Sequence, residues 1–341
     1  MRNLKDRYSR RRIALAIASG LTLLVLVVLV NVLRSPSDFP ATTSGVSTTI
    51  SISSGEAGTS IARSLQSAGV VKNFRYFVSV LLKDPSSLGI APGAHTIDTH
   101  IPSELALTEL LDQKRILNLI VVKDASTTQT VLSALHSDTN LLQGDALKTV
   151  TLALPNPAHS LEGELGPDQY SFSAHTSTHD ALTAMTNMAK TNFQSSGILA
   201  GYQKYSPYQL LTIASLLQIE ADPSDYANAA EVIYNRLAIN MPLQLNSTVA
   251  YAQGLQGSIG LTIAATHVPS AYNTYLHTGL PPTPICNPSL AALRATLHPA
   301  RGSWLYFITV KPHDTRFTDS YSQFETWVAL YNHNVAMGAF K

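Results

Sequence analysis

Apolar and polar residues alternate with helical spacing in the segment Ser206-Pro-Tyr-Gln-Leu-Leu-Thr-Ile-Ala-Ser-Leu-Leu-Gln-Ile-Glu220. Leu210, Ile213, Ala214 and Leu217 recur at that spacing and predict an amphipathic helix with one buried face. Ser206 suits the N-cap and Pro207 the first turn. Glu220 lies seven residues after Ile213 and three after Leu217, so it falls on the same apolar face. A carboxylate there is costly unless it is paired or protonated. Desolvation raises its pKa, and a raised pKa is what a general acid near neutral pH needs. A structural ion pair, with Arg236 as a candidate partner, is the more ordinary reading of the helix taken alone. The helix alone leaves both readings open.

The same periodicities organise the rest of the chain. Thr48 to Gly55 alternates as a strand, and helices are expected over Glu56–Gly69, Asn73–Lys83 and Ser103–Asp112. A strand-like piece surrounds His95 to Ile97. Arg115 to Lys123 reads as a strand and Thr127 to Ser137 as a helix, after which the pattern is illegible to about Ser160. Ala181–Phe193 and Asp225–Ile239 read as helices flanking the Glu220 segment, with Pro223 breaking the chain between. Beyond Asn240 the pattern suggests short strands and turns, then a strand at Trp304–Val310 and a last helix at Tyr321–Asn332. The fold class expected is α+β, with no internal repeat.

The N-terminus changes the picture. Residues 1–12 carry six basic residues against Asp6 and form a short tail. Ile13 to Leu33 is then uncharged over 21 residues, about 30 Å as a helix, which matches a bilayer's hydrocarbon core. A single membrane-spanning helix is expected at 13–33, with the basic flank in the cytoplasm and the remainder outside. Such a run is long for a cleaved signal peptide and lacks a small-residue cleavage site. Arg10-Arg11 is compatible with a twin-arginine signal. Residues 34–47 read as a linker. A net charge of +1 gives no basis for nucleic-acid binding. The single cysteine, Cys286, cannot form an internal disulfide. The histidines show no close metal-ligand spacing, and neither phosphate loops nor G-x-S-x-G occur. No metal or cofactor is expected.

Several segments, in order, carry a resemblance. They are Leu161-Glu-Gly163, Pro167-Asp-Gln-Tyr170, Ala214 to Glu220, Val232-Ile-Tyr-Asn-Arg-Leu237 and Met241 to Tyr251. Ala271-Tyr-Asn-Thr-Tyr275, Gly279-Leu-Pro-Pro282, Pro284-Ile-Cys-Asn-Pro288, His298-Pro-Ala300 and Leu305-Tyr-Phe307 follow. Together they resemble the endolytic murein transglycosylases (MltG, YceG-like). The unit at 48–114 resembles that family's LysM-like domain, and 115–341 its catalytic domain.

The resemblance implies a bacterial enzyme of the inner (plasma) membrane that cleaves peptidoglycan strands internally, leaving 1,6-anhydro-MurNAc ends. It implies Glu220 as the single catalytic acid and base, and peptidoglycan synthases (penicillin-binding proteins) as partners. Two positions depart from the family pattern. Gln218 stands where relatives often carry an acid, and Asn246 where they favour Asp. Asn246 is therefore expected to hydrogen-bond sugar hydroxyls or site backbone. Tyr272, Asn273 and Tyr275 are expected to bind glycan or to scaffold a loop. Asn235 and Arg236 are expected among the substrate-binding residues, and Arg236 would orient Glu220 or pair with an acid. Gln244 and Asn246 would line the cleft or serve turn chemistry. Asp222 and Asp225, at the helix break, are expected to cap. Two rival functions remain at this level: a catalytically inactive peptidoglycan-binding scaffold and a hydrolytic muramidase.

Overall fold

The computed structural model describes residues 37–40, 46–53, 55–137, 150–172, 176–255 and 263–340. The tail, the expected membrane-spanning segment at 13–33 and most of the linker lie outside the described residues. Among those described, no helix is long and apolar enough to cross a membrane. The chain divides into two units, Met1–Leu117 and Asn118–Lys341. Both mix helices with two-stranded antiparallel ladders, an α+β architecture.

In the first unit, β1 (Ser47–Ile52) pairs with β2 (Gly93–Asp98), from Ser47 opposite Asp98 to Ile52 opposite Gly93. Between them run α1 (Gly58–Ser67) and α2 (Phe74–Lys83), and α3 (Ser103–Leu111) follows. Asn73 caps α2 by accepting from the Arg75 N–H. Leu65, Phe77, Ile97, Ile101 and Leu110 fill the core. Buried Glu109 accepts from the Asp98 N–H and pairs with Arg115 at 3.1 Å.

In the second unit, β3 (Leu119–Val122) pairs with β4 (Asp168–Ser171), and α4 (Thr128–Ser137) packs beside β3. The helices α5 (Thr178–Ser196), α6 (Pro207–Glu220), α7 (Tyr226–Ala238), α8 (Asn246–Ala252) and α9 (Leu290–Leu297) follow. β5 (Tyr306–Lys311) and β6 (Asp314–Thr318) form a hairpin, and α10 (Tyr321–Ala336) lies against β5.

α6 is the centre of this unit. Ser206 and Gln209 close a full capping box at its N-terminus, with Pro207 in the first turn. The sequence predicts one buried face. The structure instead buries α6 all round, from Leu210 through Leu217, because α7, α8, α9 and neighbouring loops surround it. Its polar side chains turn inward onto backbone. Thr212 donates to the Tyr208 carbonyl, and Ser215 donates to the Thr212 carbonyl while accepting from the Ile285 N–H.

Between Asn240 and Trp304, a stretch read as short strands and turns, the described residues include the helices α8 and α9. Asp222 and Asp225 do not cap through their side chains. Asp222 instead contacts His313 at 2.9 Å, drawing the β5–β6 hairpin to the end of α6.

The segment 161–166 joins the two cores of the unit. Glu164, fully buried, accepts from the N–H groups of Ala153 and Leu154 and from the Asn156 amide. The Leu165 N–H donates to Asn287, and the Gly166 N–H to the Met185 carbonyl. Gly163 sits at φ +82°, and a Cβ there would lie 2.8 Å from Pro284 Cβ. Gly163→Ala is therefore expected to lower stability by about 2 kcal/mol or more through backbone strain and overpacking. Thermal denaturation checks this, and an unchanged melting temperature would contradict it.

Candidate active site

α6 ends at Glu220 because Ala221 turns extended ahead of Asp222-Pro223. The carboxyl group reaches the wall of a cavity of about 500 Å³. The floor comes from Val232, Ile233 and Arg236 on α7 and from the Leu243–Asn246 strip. The opposite wall comes from Tyr306 to Thr309 on β5 and from Tyr321, Phe324, Tyr331 and Phe340.

Glu220 is only partly exposed. One carboxyl oxygen accepts from the Ser247 N–H at 3.2 Å, at the start of α8. Among the described residues it has no ion-pair partner. Burial pushes its pKa above the ordinary carboxylate range, and the contact with Ser247 opposes that shift only in part.

The structural pairing with Arg236 is not formed. Arg236 is 8% exposed and donates to three backbone carbonyls, those of Pro242, Leu243 and Leu305. Its guanidinium also lies 5.3 Å from the centre of the Tyr306 ring. One side chain thus binds the strip below the cavity to the strand across it. Arg236 neither orients nor neutralises Glu220; it sets the spacing of the walls.

The other candidates separate into two groups. Gln244, Asn246 and Tyr275 line the cavity with Glu220. Leu243 and Leu245 point into the core, so the intervening Gln244 is directed outward. Gln244 holds φ +50°, a left-handed backbone uncommon outside glycine. Its N–H donates to the Thr274 carbonyl. The Tyr275 hydroxyl donates to Asn246 Oδ1 at 2.7 Å, so Asn246 accepts from a site side chain. Burial and the nearby Glu220 raise the Tyr275 pKa.

Asn235, Tyr272 and Asn273 do not line the cavity. Asn235 donates to the carbonyls of Gly302 and Trp304, fixing the approach to β5. Asn273 is 1% exposed; it donates to the carbonyls of Thr266 and Val268 and accepts from the Tyr275 N–H. That last contact places Tyr275. The Tyr272 hydroxyl bonds Thr283 and its ring packs on Tyr251. Gln218 accepts from the Ser289 N–H beside the start of α9, an amide's task that needs no acid.

Two features escaped the sequence reading. Ser247 meets Glu220 through its backbone, which no side-chain pattern signals. The aromatic wall has a signal: Tyr321, Phe324 and Tyr331 stand at i, i+3 and i+10, on one helix face. The Tyr306 ring lies 5.3 Å from that of Phe324 and 5.5 Å from that of Tyr321, which is 57% exposed. Among the described residues no group of three or more His, Cys, Asp or Glu is placed to hold a metal. A partly desolvated carboxyl facing polar amides, a phenol and an aromatic wall can exchange a proton with a ligand that has both hydroxyls and apolar ring faces.

The chain is similar in sequence, and in fold, to known proteins. An endolytic murein transglycosylase of Bacillus subtilis (strain 168) is 31% identical over 294 residues, covering 79% of this chain and 80% of its own length. Another, from Streptococcus pneumoniae (serotype 2, strain D39), is 32% identical over 196 residues. That match spans 54% of this chain and 36% of the pneumococcal one. The crystal structure of a YceG-like protein from Listeria monocytogenes superposes with a TM-score of 0.54 at 24% identity, covering 82% of this chain and 98% of that one. It supports the fold. The model of the YceG-like family matches residues 50–329, and the chain belongs to that family.

Proposed function

We propose that this protein is a membrane-anchored endolytic murein transglycosylase, with Glu220 as its general acid and then its base. The observation that carries the reading is Glu220 itself, a desolvated carboxyl with no ion-pair partner among the described residues, at the wall of a cavity of about 500 Å³. Relatives that bear the transglycosylase name support the substrate class. Anchoring rests on the uncharged run at 13–33. The LysM-like unit would hold glycan near the inner (plasma) membrane, where peptidoglycan synthases of the penicillin-binding class would supply new strands.

The chemistry needs one carboxyl. Protonated Glu220 gives its proton to the glycosidic oxygen between MurNAc and GlcNAc, and the bond from MurNAc C1 to that oxygen breaks. The GlcNAc 4-hydroxyl leaves. The muramic acid 6-hydroxyl then attacks C1, and the Glu220 carboxylate takes its proton as the 1,6-anhydro ring closes. No water is added, so no second carboxylate is required to activate one, unlike a two-carboxyl glycosidase. The tethered hydroxyl benefits from high effective molarity. Asn246, Gln244 and Tyr275 offer hydrogen bonds to sugar hydroxyls, and Tyr306 and Tyr321 offer faces for pyranose rings.

Glu220→Gln is expected to keep the fold and abolish release of anhydro ends from nascent strands, read by mass spectrometry. Retained anhydro products would overturn the role. Reducing ends from the parent protein would indicate a hydrolytic muramidase, and glycan binding without turnover would indicate a scaffold. Since the first step needs the protonated acid and its pKa is raised, activity should persist above the ordinary carboxylate range. It should then fall as pH rises through the shifted pKa. A pH profile of kcat checks this, and a fall near the usual glutamate value of about 4.3 would contradict it. Tyr321→Ala should raise KM for glycan by about five- to tenfold, a loss of about 1–1.4 kcal/mol, with the fold intact. An unchanged KM would remove this ring from the binding surface.

A further inference from the structure

A buried glutamate bonded to α8 is not used by the reaction as described. Glu162 is 4% exposed. One of its oxygens accepts from the Thr128 N–H, at the start of α4, at 3.0 Å. The other accepts from the Tyr251 hydroxyl at 3.0 Å. Tyr251 lies on α8 four residues after Ser247, on the same side of that helix. The two ends of this side therefore meet two different carboxyl groups: the Ser247 N–H meets Glu220 and the Tyr251 hydroxyl meets Glu162.

α8 has only two turns, too few to hold itself in place. Three side-chain contacts fix it. The Tyr275 hydroxyl bonds Asn246 at its first residue, Thr248 bonds Thr274 at 2.9 Å, and Tyr251 bonds Glu162 near its far end. With these made, rotation of α8 about its axis is opposed and the Ser247 N–H is aimed at Glu220. We propose that Glu162 is a positioning residue for the reaction, acting through Tyr251 and α8 to hold the Ser247 N–H on Glu220. This rests on the proposed role of Glu220.

The surroundings of Glu162 agree. Burial pushes its pKa up to about 7, against the contacts with Thr128 and Tyr251; burial likewise raises the pKa values of Tyr251 and Cys286, and Glu162 adds to both shifts. A carboxyl so desolvated adds little to stability, since an apolar replacement avoids its desolvation. The titratable side chains that line the cavity with Glu220 are Tyr275, Arg236, Tyr306, Tyr321 and Tyr331. Among the described residues none of them is hydrogen-bonded to Glu162 or Tyr251, whereas α8 meets both carboxyl groups directly.

The test uses the full chain with nascent glycan strands and three variants: Glu162→Gln, Tyr251→Phe and Glu220→Gln. Loss of the α8 anchor should lower kcat by roughly tenfold or more through misplacement of the acid, with KM within about twofold. It should also move the alkaline limb of the kcat profile to higher pH, because the Ser247 N–H favours the charged form of Glu220 and its release raises the pKa. A double variant Glu162→Gln/Tyr251→Phe should fall no further than either single one. A merely structural role would scale the profile with the folded fraction and leave the limb in place, and that outcome overturns the proposal. Tyr251→Phe removes one hydroxyl only and decides the matter if Glu162→Gln does not fold. Activity in Glu220→Gln would instead defeat the assignment of Glu220, whatever the other two variants do.

Discussion

Burial of α6 on every side is the constraint from which the second unit follows. A helix surrounded by protein has no solvent face on which to leave polar side chains. Thr212 and Ser215 therefore bond the backbone of their own helix, and Ser215 and Gln218 accept from the N–H groups of Ile285 and Ser289. These contacts lock the 284–289 strip along α6. Glu220 is the residue at which the helix leaves the core, and its carboxyl meets open space on one side only. The acid's unusual environment is a consequence of where the central helix stops.

The cavity is held open by side chains whose hydrogen bonds go to the protein's own backbone. Arg236 bonds carbonyls on both walls, Asn235 fixes the approach to β5, and Asn273 sets Tyr275. Each is buried or partly buried, and each has carbonyl oxygens as its partners. Such bonds stabilise modestly one by one, but they fix distances between segments far apart in sequence. A site built this way has its dipoles oriented before a ligand arrives. The left-handed backbone at Gln244 belongs to the same design, since strain tolerated in a lining residue turns its amide outward between two core leucines.

Much of this could be read from the sequence because local rules governed it. Ser206, Pro207 and Gln209 announce the start of α6, and Pro223 announces its end. Helical spacing marked α1, α2, α5, α7 and α10 to within a few residues. The reading failed where tertiary context decides. α8 and α9 are too short for periodicity to rise above turn-like composition, and their stability comes from packing. The burial of α6 all round escaped because Ser and Thr read as polar until their partners are known. By charge alone Arg236 reads as a partner for Glu220, whereas a guanidinium offers five donors and carbonyls can satisfy them. Asn235, Tyr272 and Asn273 belong to the family pattern, and the pattern does not distinguish a ligand contact from a scaffold contact.

Cys286 packs fully buried against α6, and its thiol donates to the Ser215 carbonyl. Burial raises its pKa well above the ordinary thiol value, so the reactive thiolate is suppressed at neutral pH. Since it is the chain's single cysteine, the folded protein presents no thiol to oxidants, to metals or to another copy of itself. It also follows that a cysteine introduced on the outer side of α10 would be the one accessible thiol in the molecule. A spin label or fluorophore attached there would report on the aromatic wall without background, and the native sulfur need not be removed.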